Sequence, residues 1–568
     1  MLRLFFILFP DLKKKIYLLI TLSIFLSFLD ILSLGLIGPL IGLIIDENFF
    51  NNFPTFYSFL DLINIFQIDI LIFISILIIL CFLIKSIFSF QIIKFIQSFC
   101  YEQQTKLRNR ILEYYLTMPF IFFIKKDYVN KFSSITELTR NVSESALINL
   151  LRLFSDLIIV LLISVYLFYT DFKISVFVLT LLFLTYLSFK FFLKNKILTL
   201  GKETVSSLKN IISGAEVTLN AIKEIRVFNK EKFFLHKMND ASKNFGKFNT
   251  QHILYSSLPK IIIENTLVIT MLIVIFITIS FNAKTEVIFS TLAIFGLAAI
   301  RLGPLTHNIL SSYAQVWNSK YASETLVDQL NDFEKNKNKN NNNNKEIIKK
   351  IENKIQYSNC SFHYNEQGSV FSDLNFEFIV GESIGLHGQS GAGKTTFIYL
   401  LIGLLKFTKG KITIDEIEVD IENYDILDKV AYIPQDTFLL DDTIKNNILF
   451  DSEFNQKKFD QVVVDSNLSD VIDQMQFGIN TRVGHMGTLL SGGQKQRLSI
   501  ARALYNKKKF LIFDEPTSAL DQKSKNEIMS TIKSLKGKQT IVVISHDISI
   551  LKNFDKVYLL ENKDLIIQ

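Results

Sequence analysis

The feature that most constrains this sequence is the concentration of long apolar stretches in its first 320 residues. An α-helix needs about 20 mostly apolar residues to cross the hydrocarbon core of a bilayer. Six stretches reach this length, and the mean hydropathy of +0.30 is high for a soluble protein. The sequence therefore predicts an all-α membrane domain with six transmembrane helices. The stretches cover approximately residues 16–45, 68–96, 147–169, 174–193, 261–281 and 287–310.

The charges that flank these stretches predict their orientation. Lysines 13–15 precede the first stretch, and Lys106, Arg108 and Arg110 follow the second, whereas the connection that begins at Asp46 is acidic. Because Lys and Arg concentrate on the cytoplasmic side, the N-terminus and the chain after the sixth stretch are predicted in the cytoplasm. The net charge of +7 is assigned to these residues near anionic lipid, and no nucleic acid is expected as a partner.

The connections between the stretches are of two kinds. Residues 97–145 and 194–255 are long and polar, which predicts helices that extend into the cytosol, with short reversing helices near residues 119–123 and 211–220. The outer connection is aromatic and amphipathic, which favours an external helix at about residues 48–66 in the membrane interface. The alternative for that segment is an ordinary loop packed on the helical bundle.

The second part of the chain has a different pattern. An Asn/Lys-rich tract cannot bury a core and is typical of a flexible linker. After it, short apolar strands alternate with helices, which predicts an α/β domain. The predicted organisation is a membrane domain at 1–330, a polar linker at 331–350 and an α/β domain at 351–568.

A glycine-rich loop follows the predicted strand at residues 383–387 and opens a helix, as the G-x-x-x-x-G-K-[ST] motif requires. Its backbone N–H groups would bind phosphate oxygens of ATP, with the positive charge of Lys394 on the β- and γ-phosphates. The hydroxyl of Thr395 would reach Mg²⁺. The predicted nucleotide-binding residues of this loop are Gly388, Gln389, Ser390, Gly391, Ala392, Gly393, Lys394, Thr395 and Thr396.

The sequence Leu-Ser-Gly-Gly-Gln begins 102 residues after the start of this loop, and Phe-Asp-Glu follows at residues 513–515. In this order the motifs resemble the ATP-binding cassette (ABC) family, and the whole chain resembles a half-transporter with the type-1 exporter fold. The resemblance implies a P-loop NTPase cassette that hydrolyses ATP with Mg²⁺. It also implies a second identical half-transporter, whose ATP would be contacted by Ser491, Gly492, Gly493 and Gln494.

The same resemblance implies roles for five residues outside the loop. Tyr364 is similar to the aromatic residue that stacks on adenine, and Gln435 to the glutamine that senses the γ-phosphate and Mg²⁺. Asp514 would hold Mg²⁺, and Glu515 would be the general base for the attacking water. His546 is similar to the histidine that contacts the γ-phosphate.

Charged residues inside the apolar stretches are the best indication of the cargo, because an ionisable group at bilayer depth is costly and usually faces a polar cavity. Lys85, Lys260 and Arg301 are the candidates, with Asp30 as a partner for one of them. Cations from different helices would suit a phosphate or pyrophosphate group. The alternatives are snorkelling to the interface and structural ion pairs.

In three features the chain resembles the PglK-type flippases of lipid-linked oligosaccharides. These features are the external aromatic segment, the three cations and the sequence Ile-Arg-Leu-Gly-Pro at residues 300–304. The resemblance implies a homodimeric flippase in the bacterial inner membrane, with membrane lipids and a polyprenyl-pyrophosphate-linked oligosaccharide or related glycolipid as partners. The alternatives are a general lipid or multidrug exporter and a peptide exporter. The peptide exporter is disfavoured because no protease domain precedes the first stretch. Six apolar stretches argue against a soluble ABC ATPase.

Overall fold

The protein is described from a computed structural model of the 568-residue chain. The chain divides into a first unit of residues 1–117 and 126–334 and a second unit of residues 118–125 and 335–568. The predicted external helix and part of the predicted linker lie outside the described residues. The description covers residues 1–45, 70–125, 128–280, 285–342, 351–364, 368–419, 426–518, 520–561 and 563–568.

The described part of the first unit is helical. Short π-helical segments at Ser134–Leu138, Asn141–Leu147 and Phe189–Leu193 interrupt the longer helices. The α-helices of this part of the chain, including α4 of the second unit, are α1 Leu2–Leu8, α2 Leu12–Ile45, α3 Ile70–Thr117, α4 Phe120–Lys125, α5 Tyr128–Ser133, α6 Ile148–Thr170, α7 Phe172–Ser188, α8 Lys194–Asn220, α9 Ile222–Val227, α10 Glu231–Ser280, α11 Thr285–Asn318 and α12 Lys320–Asn342.

Four helical stretches among the described residues are long and apolar enough to cross a membrane, and a shorter apolar helix covers Phe172–Thr185. The predicted helical membrane region is therefore confirmed, while the count of six spans stays a prediction. The four stretches are Leu12–Ile37, Leu71–Thr117, Tyr128–Thr170 and Glu231–Ile273.

Helices α2, α6 and α11 contact one another and bury apolar side chains such as Leu26, Ile159 and Leu302. A hydrogen bond of 2.8 Å between the hydroxyls of Ser23 and Ser155 joins α2 to α6. In contrast, α3 exposes a row of large apolar side chains along its length. Exposed apolar faces of this kind fit a hydrocarbon environment, in which no water is available to solvate polar groups.

The two predicted reversing helices have different outcomes. A short helix, α4, occurs close to the predicted position near residues 119–123. The prediction at residues 211–220 is wrong, because α8 continues through Asn220 and the chain reverses at α9. Gly214 does not end α8, since a single interior glycine costs a helix only about 1 kcal/mol.

The second unit contains two sheets, one of four strands in the order β2-β1-β4-β5 and one of six strands in the order β10-β9-β3-β8-β7-β6. The strands are β1 Lys354–Phe362, β2 Phe371–Ile379, β3 Ser383–Gly388, β4 Lys409–Ile414, β5 Ile417–Val419, β6 Val430–Ile433, β7 Phe510–Asp514, β8 Thr540–Ile544, β9 Lys556–Glu561 and β10 Asp564–Ile567. The helices are α13 Lys394–Leu401, α14 Ile444–Leu449, α15 Gln456–Asp465, α16 Ser469–Asp473, α17 Gly492–Tyr505, α18 Gln522–Ser534 and α19 Ile548–Leu551.

The six-stranded sheet positions the nucleotide motifs. Strands β9, β3, β8, β7 and β6 run parallel, and the inner strands β7 and β8 are almost fully buried, as expected for strands covered on both faces. Because they are parallel, their carboxyl ends lie at one edge of the sheet, where open α/β sheets bind their ligands. The glycine-rich loop at residues 388–396, called the P-loop below, follows β3. Glu515 follows β7 and His546 follows β8, so all three meet at this edge.

Candidate functional site

The P-loop connects the end of β3 to the start of α13. Gly391 and Gly393 have φ angles of 84° and 102°, in the left-handed region that favours glycine. A Cβ atom on Gly388 would lie 2.6 Å from the backbone oxygen of Leu560. The loop thus needs glycine for both its turn and its close approach to β9. This strand–loop–helix arrangement fits a phosphate group at the N-terminus of α13.

Lys394 folds back across the loop that precedes it. Its Nζ donates to the backbone oxygens of Gly388 at 2.9 Å and Gln389 at 3.1 Å, and it lies 3.4 Å from Nε2 of His546. Burial lowers the pKa of Lys394, while the negative charges of the adjacent carboxylates oppose that shift. The ammonium is therefore held at the mouth of the loop, where it would contact an anionic ligand.

Glu515 follows the last residue of β7 and has an unusual backbone conformation. Its φ angle is 45°, which is uncommon for a residue with a side chain, and its N–H donates to the oxygen of Ile544 at 2.9 Å. Oε1 of Glu515 lies 2.7 Å from Nε2 of His546. Strained residues of this kind cluster at functional sites. Here the turn brings Glu515 and His546 from two neighbouring strands into contact.

Asp514, beside it, accepts a hydrogen bond of 2.9 Å from the hydroxyl of Tyr432 on β6. Burial raises the pKa of Asp514 above its ordinary value, and the charge of Glu515 acts in the same direction. A bound cation would offset this cost. The described residues contain no cluster of three or more His, Cys, Asp or Glu side chains suited to a metal ion, so Mg²⁺ would also need oxygens of the nucleotide.

Gln435 is tied to the segment that follows Glu515. Its Nε2 donates to the hydroxyl of Ser518 at 3.0 Å, and that hydroxyl donates to the backbone oxygen of Glu515 at 3.2 Å. Gln496 on α17 donates to the backbone oxygens of Pro434 and Gln435, both at 3.0 Å. Our sequence reasoning missed the contribution of Gln496, whose only signal is its position two residues after the Leu-Ser-Gly-Gly-Gln motif.

Tyr364 lies beside the P-loop helix. Its hydroxyl is 3.0 Å from Oγ1 of Thr396, and its ring packs edge-on against Phe362 with centroids 5.0 Å apart. The adjacent Thr395 is exposed at the start of α13. The structure thus brings the predicted adenine-stacking residue to the loop predicted to bind phosphate.

The Leu-Ser-Gly-Gly-Gln motif forms the N-terminus of α17. Ser491 and Gln494 form a reciprocal capping box, with Gln494 N–H donating to Ser491 Oγ at 3.3 Å and Ser491 N–H to Gln494 Oε1 at 2.9 Å. A Cβ atom on Gly492 would lie 2.9 Å from Leu520. No hydrogen bond or ion pair between the described side chains joins this motif to the P-loop of the same chain.

The three predicted cargo residues do not form one cluster. Lys85 Nζ lies 2.5 Å from Oδ1 of Asp30, and Arg301 donates to Oδ2 from Nη2 at 2.9 Å and from Nε at 3.2 Å. Asp30 is therefore a partner of both cations. Lys260 is separate: it is exposed and lies 3.9 Å from Glu264, one helical turn along α10.

Lys260 instead lines a cavity of about 1010 Å³ between α10 and α11. The wall of this cavity is mostly apolar, with Lys260, Glu264 and His307 as its ionisable residues. The other lining residues are Ile41, Leu267, Val268, Met271, Leu272, Gly296, Leu297, Ala299, Ile300, Gly303 and Pro304.

Comparison with known proteins agrees with this geometry. Residues 16–304 match the family described as ABC transporter transmembrane region, and residues 371–518 match the family described as ABC transporter. The chain is 27% identical to an ATP-dependent lipid A-core flippase of Wigglesworthia glossinidia brevipalpis, over 81% of this chain and 79% of the relative. It is 28% identical to the protein of the same name from Pasteurella multocida, with the same two coverages.

The fold has a solved counterpart in a bacterial Atm1-family ABC exporter with ATP bound. The TM-score is 0.77, with 16% sequence identity, and the match covers 98% of this chain and 95% of that one. The membrane region, the cassette and their order in one chain therefore agree between sequence, structure and relatives. The chain belongs to the ABC transporter family, as a half-transporter that couples ATP hydrolysis to transport across a membrane.

Proposed function

We propose that two copies of this chain form a flippase for lipids with a phosphate- or pyrophosphate-linked glycan headgroup. A polyprenyl-pyrophosphate-linked oligosaccharide or a related glycolipid in the bacterial inner membrane would be its cargo. The observation that carries the proposal is that Lys85 and Arg301, from α3 and α11, both bind Asp30 within the membrane unit. Relatives named for flipping lipid A-core support a lipid cargo.

The energy would come from ATP hydrolysis at the edge of the six-stranded sheet. Glu515 would accept a proton from the attacking water, and His546, 2.7 Å away, would hold the Glu515 carboxylate in position and contact the γ-phosphate. Lys394 would exchange its two backbone contacts for phosphate oxygens. These roles are consistent with the convergence of the three side chains on one point.

Mg²⁺ would be held by Thr395, Gln435 and Asp514 together with oxygens of the nucleotide. When bound, it would neutralise charge on the phosphate groups. The hydrogen bond from Gln435 to Ser518 would then report the state of the nucleotide to the segment after Glu515.

The capped motif at the start of α17 would complete the ATP site of the partner subunit. Its capping box fixes the Ser491 backbone, and the helix N-terminus would add partial positive charge next to the γ-phosphate. No hydrogen bond or ion pair among the described residues joins the motif to the P-loop of its own chain, which favours this use in trans. A homodimer would contain two complete ATP sites.

Transport in proteoliposomes tests the proposal. Purified protein reconstituted with a fluorescent polyprenyl-pyrophosphate-linked glycan should move it between leaflets only with ATP and Mg²⁺. Neutralising the two cations together, as Lys85→Met and Arg301→Met, should abolish this movement while ATP hydrolysis persists. Robust ATP hydrolysis with no movement of any pyrophosphate- or phosphate-linked glycolipid would refute the cargo.

A general lipid or multidrug exporter is the second candidate, because the apolar cavity beside Lys260 fits an uncharged amphiphile. That function predicts intact transport after neutralisation of Lys85 and Arg301. A peptide exporter is the less favoured third candidate. Transport of neutral amphiphiles by the double variant would therefore decide between the first two.

A further inference from the structure

Asp30 has a place in the membrane unit that the proposed function does not use. It lies on α2, its side chain is 1% exposed, and each of its two carboxylate oxygens is bound to a different cation. Those cations come from α3 and α11, so one carboxylate joins three helices. A buried carboxylate at bilayer depth is costly and is usually functional.

The two cations remain partly accessible although Asp30 is buried. The side chain of Arg301 is 31% exposed and that of Lys85 is 12% exposed. Arg301 uses Nε and Nη2 for Asp30, and no hydrogen bond from its Nη1 occurs among the described residues. Lys85, Arg301 and Asp30 together are called the Asp30 group. An anion that approaches this group would therefore meet free donors before it met the carboxylate.

The charges of the group are not balanced. Two positive side chains and one negative side chain give a net charge of +1. A second buried carboxylate, Asp156 on α6, interacts electrostatically with Arg301 and with Arg152, and the opposite charges of Asp156 and Arg152 leave the net charge at +1. The group thus attracts an anion weakly while it keeps its own counterion within contact distance.

We propose that Asp30 is an internal counterion that an anionic lipid headgroup displaces from Lys85 and Arg301 and that reclaims them when the headgroup leaves. The proposal rests on the proposed function, since it needs an anionic cargo. Asp30 would weaken headgroup binding and speed its release. An exporter gains no turnover from binding its cargo equally tightly at every step, so a competitor for the cations favours turnover.

The test compares variants of the full-length homodimer in nanodiscs. The probes are undecaprenyl pyrophosphate, lipid A and the uncharged undecaprenol, and the readouts are KM and kcat of lipid-stimulated ATP hydrolysis. Asp30→Asn changes the net charge of the group from +1 to +2. We expect the KM for both anionic probes to fall about tenfold, because the negative charge of Asp30 no longer repels the headgroup. We expect kcat to fall as well, because Asp30 no longer speeds release of the headgroup.

A second pair of variants keeps the test decisive if Asp30→Asn leaves two repelling cations and does not fold. Lys85→Met has a group charge of 0, and Asp30→Asn combined with Lys85→Met has +1. The double variant should again have about a tenfold lower KM than Lys85→Met. Asp171→Asn, at the turn between α6 and α7 where Oδ1 accepts a hydrogen bond from the Ile174 N–H, is the matched control and should leave KM unchanged.

The outcomes separate the two proposals. If wild-type protein responds equally to undecaprenol and to the two anionic lipids, the anionic cargo is refuted. The second outcome is that wild-type protein prefers the anionic lipids, but Asp30→Asn lowers kcat and leaves KM unchanged or raised, both in the wild-type protein and in Lys85→Met. Asp30 is then only structural, and the counterion proposal is refuted. A preference for one anionic probe over the other identifies which headgroup source the cations fit.

Discussion

Replacing Glu515 with glutamine is the sharpest test of the ATP site. The substitution keeps the size of the side chain and its ability to hydrogen-bond to His546, 2.7 Å away. It removes the basic oxygen that would accept a proton from water. Glu515→Gln isolates proton transfer from packing, because the unusual backbone angle of 45° and the hydrogen bond to Ile544 involve only the main chain.

The expected size of the effect follows from this geometry. Loss of a general base typically slows a reaction by about 10²–10⁴-fold, or about 2.7–5.4 kcal/mol in activation free energy. The free energy of unfolding should change by less than about 1 kcal/mol, because the His546 side chain is 52% exposed and exposed ion pairs contribute little. ATP binding should persist, since the contacts of Lys394 and the P-loop are unaffected.

The assay combines steady-state ATP hydrolysis, equilibrium binding of a fluorescent ATP analogue and thermal unfolding of the same preparations. Glu418→Gln is the matched control, because among the described residues Glu418 pairs with Lys411 alone, at 3.3 Å and exposed on the four-stranded sheet. It should hydrolyse ATP at the wild-type rate. A Glu515→Gln protein that binds ATP normally and retains more than about a tenth of the wild-type rate would refute Glu515 as the base.

Three further predictions concern the proposed subunit interface, helix α4 and one ion pair. Ser390→Cys combined with Ser491→Cys should give an ATP-dependent disulfide between subunits, visible as a doubled mass in non-reducing electrophoresis. The three native cysteines are buried and should not form competing crosslinks. A crosslink that forms equally without ATP would contradict an ATP-bridged dimer. Phe120→Ala removes a T-shaped aromatic contact with Tyr399 on α13, whose ring centroid lies 5.1 Å from that of Phe120. It should lower the lipid-stimulated rate of ATP hydrolysis more than the basal rate, which is tested by measuring hydrolysis with and without lipid. Hydrogen bonds from Lys525 and Ser549 lower the pKa of Asp547 to about 2, so the ionised carboxylate stabilises the folded protein above about pH 4 and this stabilisation is lost as pH falls towards 2. The thermal unfolding difference between wild type and Lys525→Met should shrink over that interval.

The sequence alone predicted the strand, loop and helix over residues 383–401 that the structure contains. The P-loop requires glycine at turns and close approaches, and the capping box of Ser491 and Gln494 is complete within four residues. Such motifs carry their own conformation because their contacts are local, whereas the meeting of the P-loop with Glu515 and His546 depends on the pairing of β3, β8 and β7. The helical membrane region was equally accessible, because apolar length is a property of the sequence itself.

Contacts between distant segments were decided only by the tertiary structure. Asp30 and Arg301 are 271 residues apart, and no local pattern indicates that one carboxylate holds both Arg301 and Lys85 while Lys260 lies elsewhere. The hydrogen bond of Tyr432 to Asp514 likewise depends on the pairing of β6 with β7. The sequence thus determined that this chain is an ABC half-transporter with cations inside the apolar stretches of its membrane region. The packing of helices and strands decided which charged residues contact one another, because residues far apart along the chain show no local pattern that predicts their contact.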